Sequence, residues 1–62
     1  MRILRIVPEG KKGSSEFFSI VYLENHKEFS SVMTERKIIR KFSIDKMEFK
    51  RVLMESLSEI SS

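Results

Sequence analysis

The sequence predicts an α+β fold: a small antiparallel sheet of three to four strands, arranged as a meander, with one C-terminal amphipathic helix packed on one sheet face. Two observations predict it, namely the β-forming segment EFFSIVYLEN and the apolar residues at helical spacing after residue 45. The predicted strands cover about residues 1–8, 16–24, 27–34 and 37–43, and the predicted helix covers about 45–60.

The chain is short, and its 62 residues predict a single small domain. A domain of this size buries only about 60% of the surface that its unfolded chain exposes. Cysteine is absent, which excludes a disulfide framework, and one histidine with scattered carboxylates does not make a zinc site. We therefore expect no metal and no cofactor, and we expect stability to come from packing that a second subunit could share.

The apolar runs are too short to cross a membrane. The longest, FFSIVYL at 17–23, falls far below the roughly 20 residues that a spanning helix requires, and the N-terminus lacks the features of a signal peptide. We expect a cytoplasmic protein with no membrane partner.

The first strand is predicted to stop at Pro8, because proline cannot donate a hydrogen bond to a central ladder. The polar segment EGKKGSS follows it and is interpreted as a mobile hairpin loop. This segment does not meet the phosphate-loop pattern, since Gly13 is followed by serine instead of lysine.

Residues 26–36 fit two structures. A two-residue turn at Asn25 and His26 gives good cross-strand partners, and a second tight turn at Glu35 and Arg36 then opens the fourth strand. The pairs across the first turn are Glu24 with Lys27, Tyr22 with Phe29, Ile20 with Ser31, and Phe18 with Met33. One sheet face then collects the apolar Phe18, Ile20, Tyr22, Phe29, Met33, Ile38, Phe42 and Ile44.

The alternative for the same segment is a helix. Asn25 and Glu28 could form a capping box, with Phe29, Val32 and Met33 on one helical face. The strand interpretation is favoured because its register is consistent over three strands.

The C-terminal helix has the clearest signals. Asp45 can cap it, Glu48 can complete a capping box, and Ile44 and Phe49 occupy the positions of a hydrophobic staple. The apolar stripe contains Phe49, Val52, Leu53, Leu57 and Ile60, with Ser56 on the same side. Such a stripe is expected to cover the apolar sheet face.

Positive charge is concentrated in residues 36–51, which carry seven basic side chains against two acids. A local excess of this kind can attract phosphate. In the strand register, however, Arg36 and Arg40 point toward the helix while Lys37 and Lys41 point to the open sheet face, so the two basic pairs of RKIIRK do not form one patch. The candidate nucleic-acid-binding residues are Arg36, Lys37, Arg40, Lys41, Lys46 and Lys50.

The open sheet face is predicted to be apolar at its centre, which usually marks an interface. Three uses compete: contact with nucleic acid, contact with a second copy or another protein, and coverage by strand 1 or the long loop. Met47 and Met54 either pack at the rim of strand 1 or offer a soft docking surface. The candidate partner or dimer-interface residues are Phe17, Val21, Leu23, Val32, Ile39, Met47 and Met54. We expect a homodimer that buries Val21, Val32 and Ile39.

Catalysis has little support in the sequence. His26 lies in a predicted turn, the serines have no histidine and acid arranged around them, and a chain this short leaves no room for a substrate pocket. We therefore expect no enzyme and no small-molecule substrate. The predicted function is a non-enzymatic basic module that contacts nucleic acid through strand 4 and the helix start. The alternative is a small inhibitor or adaptor that acts by protein contact through the open face and the helix flank.

Overall fold

The computed structural model describes residues 1–61 and shows a three-stranded antiparallel sheet followed by two helices. In chain order the elements are β1 (Arg2–Lys12), β2 (Ser15–Glu24), β3 (Lys27–Thr34), α1 (Glu35–Phe42) and α2 (Lys46–Ser61). The spatial order β1-β2-β3 makes β2 the central strand. The α+β class is confirmed, whereas the predicted fourth strand at 37–43 is wrong, because that segment is helical.

The hairpin between β2 and β3 has the predicted register. Tyr22 lies opposite Phe29 and Phe18 lies opposite Met33. Asn25 and His26 form the turn with φ of 51° and 64°, and two successive positive φ angles are typical of a type I′ turn, whose twist matches that of the strands it joins. The helical alternative is therefore wrong for residues 26–34, whereas Glu35 and Arg36 belong to α1.

Strand β1 continues past Pro8, where it was predicted to stop, and ends at Lys12. Proline is tolerated there because β1 is an edge strand and the β1–β2 register shifts between Pro8 and Gly10. The predicted mobile loop is reduced to a tight turn, since Lys12 pairs with Ser15. Gly13 at this turn has a φ of 63°, which glycine adopts without steric cost.

A second register shift in β1 sits at Leu4, between Ile3 and Arg5. The extra residue places Ile3 and Ile6 on the same sheet face, although regular alternation would separate them. By the same shift, Arg2 and Arg5 lie opposite Leu23 and Val21 on the other face.

Helix α1 replaces the predicted turn at Glu35 and Arg36. Thr34 has extended backbone angles, and its side chain accepts a hydrogen bond from the Lys37 N–H at 3.4 Å, so it acts as the N-cap. The helix ends at Phe42. The next residue, Ser43, has a left-handed φ of 53°, and the Ile44 N–H donates to the Ile39 carbonyl at 3.3 Å. This bond is that of a Schellman-type helix end.

Helix α2 confirms the predicted C-terminal helix and its cap. The Glu48 N–H donates to Asp45 Oδ1 at 2.7 Å. The predicted stripe is covered only in its first half: Phe49, Val52 and Ser56 are buried, whereas the later members are not, with Leu57 40% and Ile60 64% exposed.

The core lies between one sheet face and the two helices. Phe18 meets Phe49 of α2 edge-on, with ring centroids 5.1 Å apart, and Tyr22 meets Phe42 of α1 at 5.0 Å. The buried apolar side chains are Ile6, Phe18, Ile20, Tyr22, Met33, Ile38, Phe49 and Val52. The opposite sheet face has no helix on it within residues 1–61, which leaves two surfaces to consider as sites: that face and the outer sides of the helices.

Candidate nucleic-acid interface

Helix α1 gathers the four basic side chains of RKIIRK on its outer side. Ile38 is fully buried, and Ile39 and Phe42 pack against the core, so these three residues define the inner side of the helix. With 100° between successive residues, the basic side chains all project from the opposite side. They are Arg36, Lys37, Arg40 and Lys41, and we call this surface the α1 basic face. The prediction that Arg36 and Arg40 lie on a different face from Lys37 and Lys41 is therefore wrong.

The α1 basic face has no internal neutralisation. Within residues 1–61 the ion pairs join Arg51 to Glu48 and Glu55, and the four bases of α1 take part in none. The hydrogen bond with Glu48, together with the charges of Glu48 and Glu55, raises the pKa of the Arg51 guanidinium. Arg51 is thus already paired within α2, and the bases of α1 remain available to an external anion.

The helix dipole accounts for only half of these charges. Arg40 and Lys41 lie in the last turn, where positive charge is favourable by about 0.3–1 kcal/mol each. Arg36 and Lys37 lie in the first turn, where it is unfavourable, and only Glu35 offsets them there. Like charges four residues apart cost a further 0.2–0.5 kcal/mol or so per pair. Interaction with the helix dipole therefore explains the positive charges of Arg40 and Lys41 but not those of Arg36 and Lys37.

A shallow groove of about 600 Å³ runs between β3 and the α1 basic face. It is lined by Val32, Met33, Lys37, Arg40 and Lys41. The Lys41 ammonium lies 5.9 Å from the Tyr22 ring centroid, so this lysine leans back over the core. Arg36, Lys37 and Arg40 are the bases that extend outward.

The remaining candidates for nucleic-acid contact belong to a different element. Lys46 and Lys50 are exposed and lie in the first turns of α2, four residues apart. The structure thus unites four of the six predicted residues on one helix and leaves two on its neighbour. The spacing of Ile38, Ile39 and Phe42 after Thr34 and Glu35 was the sequence signal for α1.

The predicted interface residues divide between surfaces. Phe17, Val21 and Leu23 are half-buried, and Val32 is 55% exposed on the neighbouring strand. Ile39 does not belong with them, because it lies on α1 and packs against the core. The predicted dimer surface is corrected in this respect.

Two further expectations about the apolar surfaces are wrong. Met47 and Met54 do not pack at the rim of β1, since they are 81% and 70% exposed. Neither β1 nor the first hairpin folds over the open face, because β1 pairs with β2 within the same sheet.

Sequence reasoning missed two basic groups. Lys11 and Lys12 are exposed at the end of the first hairpin, beside the Gly13 turn. Arg2 and Arg5 share the open sheet face, and only the register shift at Leu4 places them there. No residue in this part of the sequence indicates a bulge at Leu4, so the shared face of Arg2 and Arg5 was not predicted.

The remaining observations concern catalytic and metal-binding residues, membrane-spanning helices and similarity to known proteins. His26 is exposed in its turn. Residues 1–61 contain no group of three or more metal-ligating side chains that could hold an ion. None of the helices in this part of the chain is long and apolar enough to cross a membrane. No protein-family model matches the chain, and no curated protein or solved structure is significantly similar to it.

Proposed function

We propose that the protein is a non-enzymatic nucleic-acid-binding module whose α1 basic face contacts phosphates. The observation that carries the proposal is the position of Arg36 and Lys37, which stand in the first turn of α1 against the helix dipole and without an acidic partner. A polyanion supplies the missing negative charge, and it relieves the repulsion between bases four residues apart.

The chemistry of this surface favours contact with the backbone over contact with the bases. Single-strand binders stack bases on exposed aromatic rings. On α1 the aromatic side chain is Phe42, and it packs against the core. Phe29 is partly exposed but is stacked on Tyr22, with centroids 5.7 Å apart. We therefore expect affinity that depends on charge and varies little with base sequence.

The test is binding of a fluorescently labelled duplex of about 20 base pairs, measured by anisotropy between roughly 50 and 200 mM salt. Three phosphate contacts, made by the bases of α1 that extend outward, correspond to a slope of log affinity against log salt of about −2.7. Replacing Arg36 and Lys37 together by glutamine should lower the magnitude of this slope by about 2 and weaken binding equally on different sequences.

The control is Lys27→Gln, which removes one exposed positive charge from β3. Lys27 lies at the end of β3 that is farther from the start of α1. This change should leave the slope close to that of the wild type. Circular dichroism confirms that each variant keeps its helices. Absence of wild-type binding at about 50 mM salt, where phosphate contacts are strongest, refutes the proposal.

A second candidate function is that of a small inhibitor or adaptor acting by protein contact. The observation that favours it is the exposure of Met47 and Met54, seven residues apart on α2, since methionine suits adaptable docking surfaces. The two candidates separate in the experiment above, because an adaptor of this kind requires no affinity for the duplex at any salt concentration.

A further inference from the structure

The open sheet face has a regular arrangement of side chains that the register defines. Along β1 the residues that face outward are Arg2, Arg5, Val7, Gly10 and Lys12; along β2 they are Leu23, Val21, Ser19, Phe17 and Ser15; along β3 they are Glu28, Ser30, Val32 and Thr34. Each set is given from the same end, so that members at equal positions lie side by side. At the end of the face near the Asn25 turn, positive charge therefore stands on β1 and negative charge on β3, while Lys12 lies at the far end of β1.

This arrangement is complementary to itself. If a second sheet packs face to face with its strands aligned, a two-fold axis parallel to the strands brings β1 of one copy over β3 of the other. Arg2 then meets Glu28 of the partner subunit, and Val7 meets Val32 of the partner subunit. Along the axis, the outward residues of β2 meet their own counterparts: Leu23, Val21 and Phe17 form apolar pairs, and Ser19 forms a polar pair between Val21 and Phe17.

The other two-fold arrangement lacks this match. An axis across the strands brings β1 over β1 with its direction reversed, so that Arg2 meets Gly10 of the partner subunit and Arg5 meets Val7 of the partner subunit. Glu28 then meets Thr34 of the partner subunit, and no opposite charges pair. Charge complementarity therefore selects the axis parallel to the strands.

Sheet twist does not remove the match. Aligned sheets cross at about 30°, which displaces a corner residue by about 5 Å. This displacement lies mainly across the strands, and an arginine side chain spans it.

We propose that the open sheet face binds the same face of a second copy of this chain, with the two-fold axis parallel to the strands and Arg2 paired to Glu28 of the partner subunit. The interface is a β-sandwich core with a charged pair at two of its corners, and it borders the groove beside the α1 basic face at Val32.

The size of the face sets the expected strength. Three strands at about 4.8 Å and four outward residues at about 6.7 Å give a flat area of roughly 390 Å² per subunit. Two such faces give roughly 780 Å² of flat area, which is below the roughly 1,200–2,000 Å² of stable specific interfaces and in the range of weak, transient ones. We therefore expect a dimer that dissociates on dilution into the micromolar range.

Charge reversal tests both the surface and the axis. Glu28→Arg places arginine opposite Arg2 at two symmetric corners and should weaken the dimer about tenfold, as measured by sedimentation equilibrium. Arg2→Glu should weaken it to a similar extent. The double variant carrying both changes restores opposite charges across the interface and should recover the wild-type dissociation constant.

Glu24→Arg is the matched control, because it makes the same change of charge at an exposed residue whose side chain alternates to the other face of the sheet. It should leave the dimer intact. A wild-type protein that stays monomeric at about 200 µM overturns the proposal, as does equal weakening by Glu24→Arg and Glu28→Arg. Failure of the double variant to recover overturns the parallel axis.

Discussion

At the scale of single residues, Ser56 shows how a polar side chain joins the helix layer to the sheet. It is buried on the inner stripe of α2, where its hydroxyl donates to the Val52 carbonyl at 2.7 Å and accepts from the Ile6 N–H at 3.0 Å. An edge-strand N–H that faces a helix has no ladder partner, and burying it unpaired is costly. Ser56 satisfies this donor within an otherwise apolar contact.

We expect Ser56→Ala to lower the free energy of unfolding by about 1–3 kcal/mol, because the Ile6 N–H then loses its partner while remaining buried. Urea unfolding followed by circular dichroism measures the change. Ser58→Ala is the control, since Ser58 is exposed on the same helix and gains the same helix propensity. Equal stability of the two variants would contradict the role given to Ser56.

At the scale of elements, RKIIRK is a helix because its local signals agree with one another. Thr34 caps it, Glu35 stands in the first turn, and Ile38, Ile39 and Phe42 share an inner side. The strand interpretation had good cross-strand partners, but it placed Ile38 and Ile39 on opposite faces of the sheet. A helix brings both isoleucines to one core, and burying both outweighs the partners that the strand would gain.

The cap at the start of α2 gives a test at this scale. Asp45→Ala removes the acceptor of the Glu48 N–H and should cost about 0.5–2 kcal/mol of stability. Asp45→Asn is the control, because asparagine caps about as well as aspartate, and it should cost clearly less. If alanine and asparagine destabilise the protein equally, the charge of Asp45 matters more than its hydrogen bond.

At the scale of the whole molecule, the two proposals together predict an arrangement of sites. The helices cover one sheet face and the proposed dimer uses the other, so the helices form the outer layers of the dimer. The α1 basic face lies on the side of the helix away from the core, beside β3. The dimer therefore presents two basic faces on opposite sides, which a short rigid duplex cannot contact at once.

We expect the dimer to bridge two duplexes. A biotinylated duplex held on streptavidin beads should retain a second, labelled duplex of about 20 base pairs when wild-type protein is present, since a duplex this short is stiff. The Glu28→Arg variant should bind single duplexes but lose most of the bridging. Bridging that is unchanged in this variant would show that the two basic faces are joined by some other contact.

The sequence alone determined the parts of the fold whose causes are local. The turn at Asn25 and His26 and the register that follows it were predicted from pairs of neighbouring strands, and the start of α2 was predicted from Asp45 and the apolar spacing after it. In each case the deciding interactions join residues close in the chain, or residues whose register a two-residue turn fixes.

Only the tertiary structure decided the rest. The bulge at Leu4 brings both Ile3 and Ile6 to the core, where the Ile6 N–H donates to Ser56 of α2, 50 residues further along the chain. The same bulge brings Arg2 and Arg5 to the open face. The α1 basic face likewise forms because Ile38 and Ile39 both pack into the same core, which requires a helix. A strand would place the two isoleucines on opposite faces of the sheet. Burial against distant elements settles such choices, because local propensities differ by less than the free energy of burying one isoleucine.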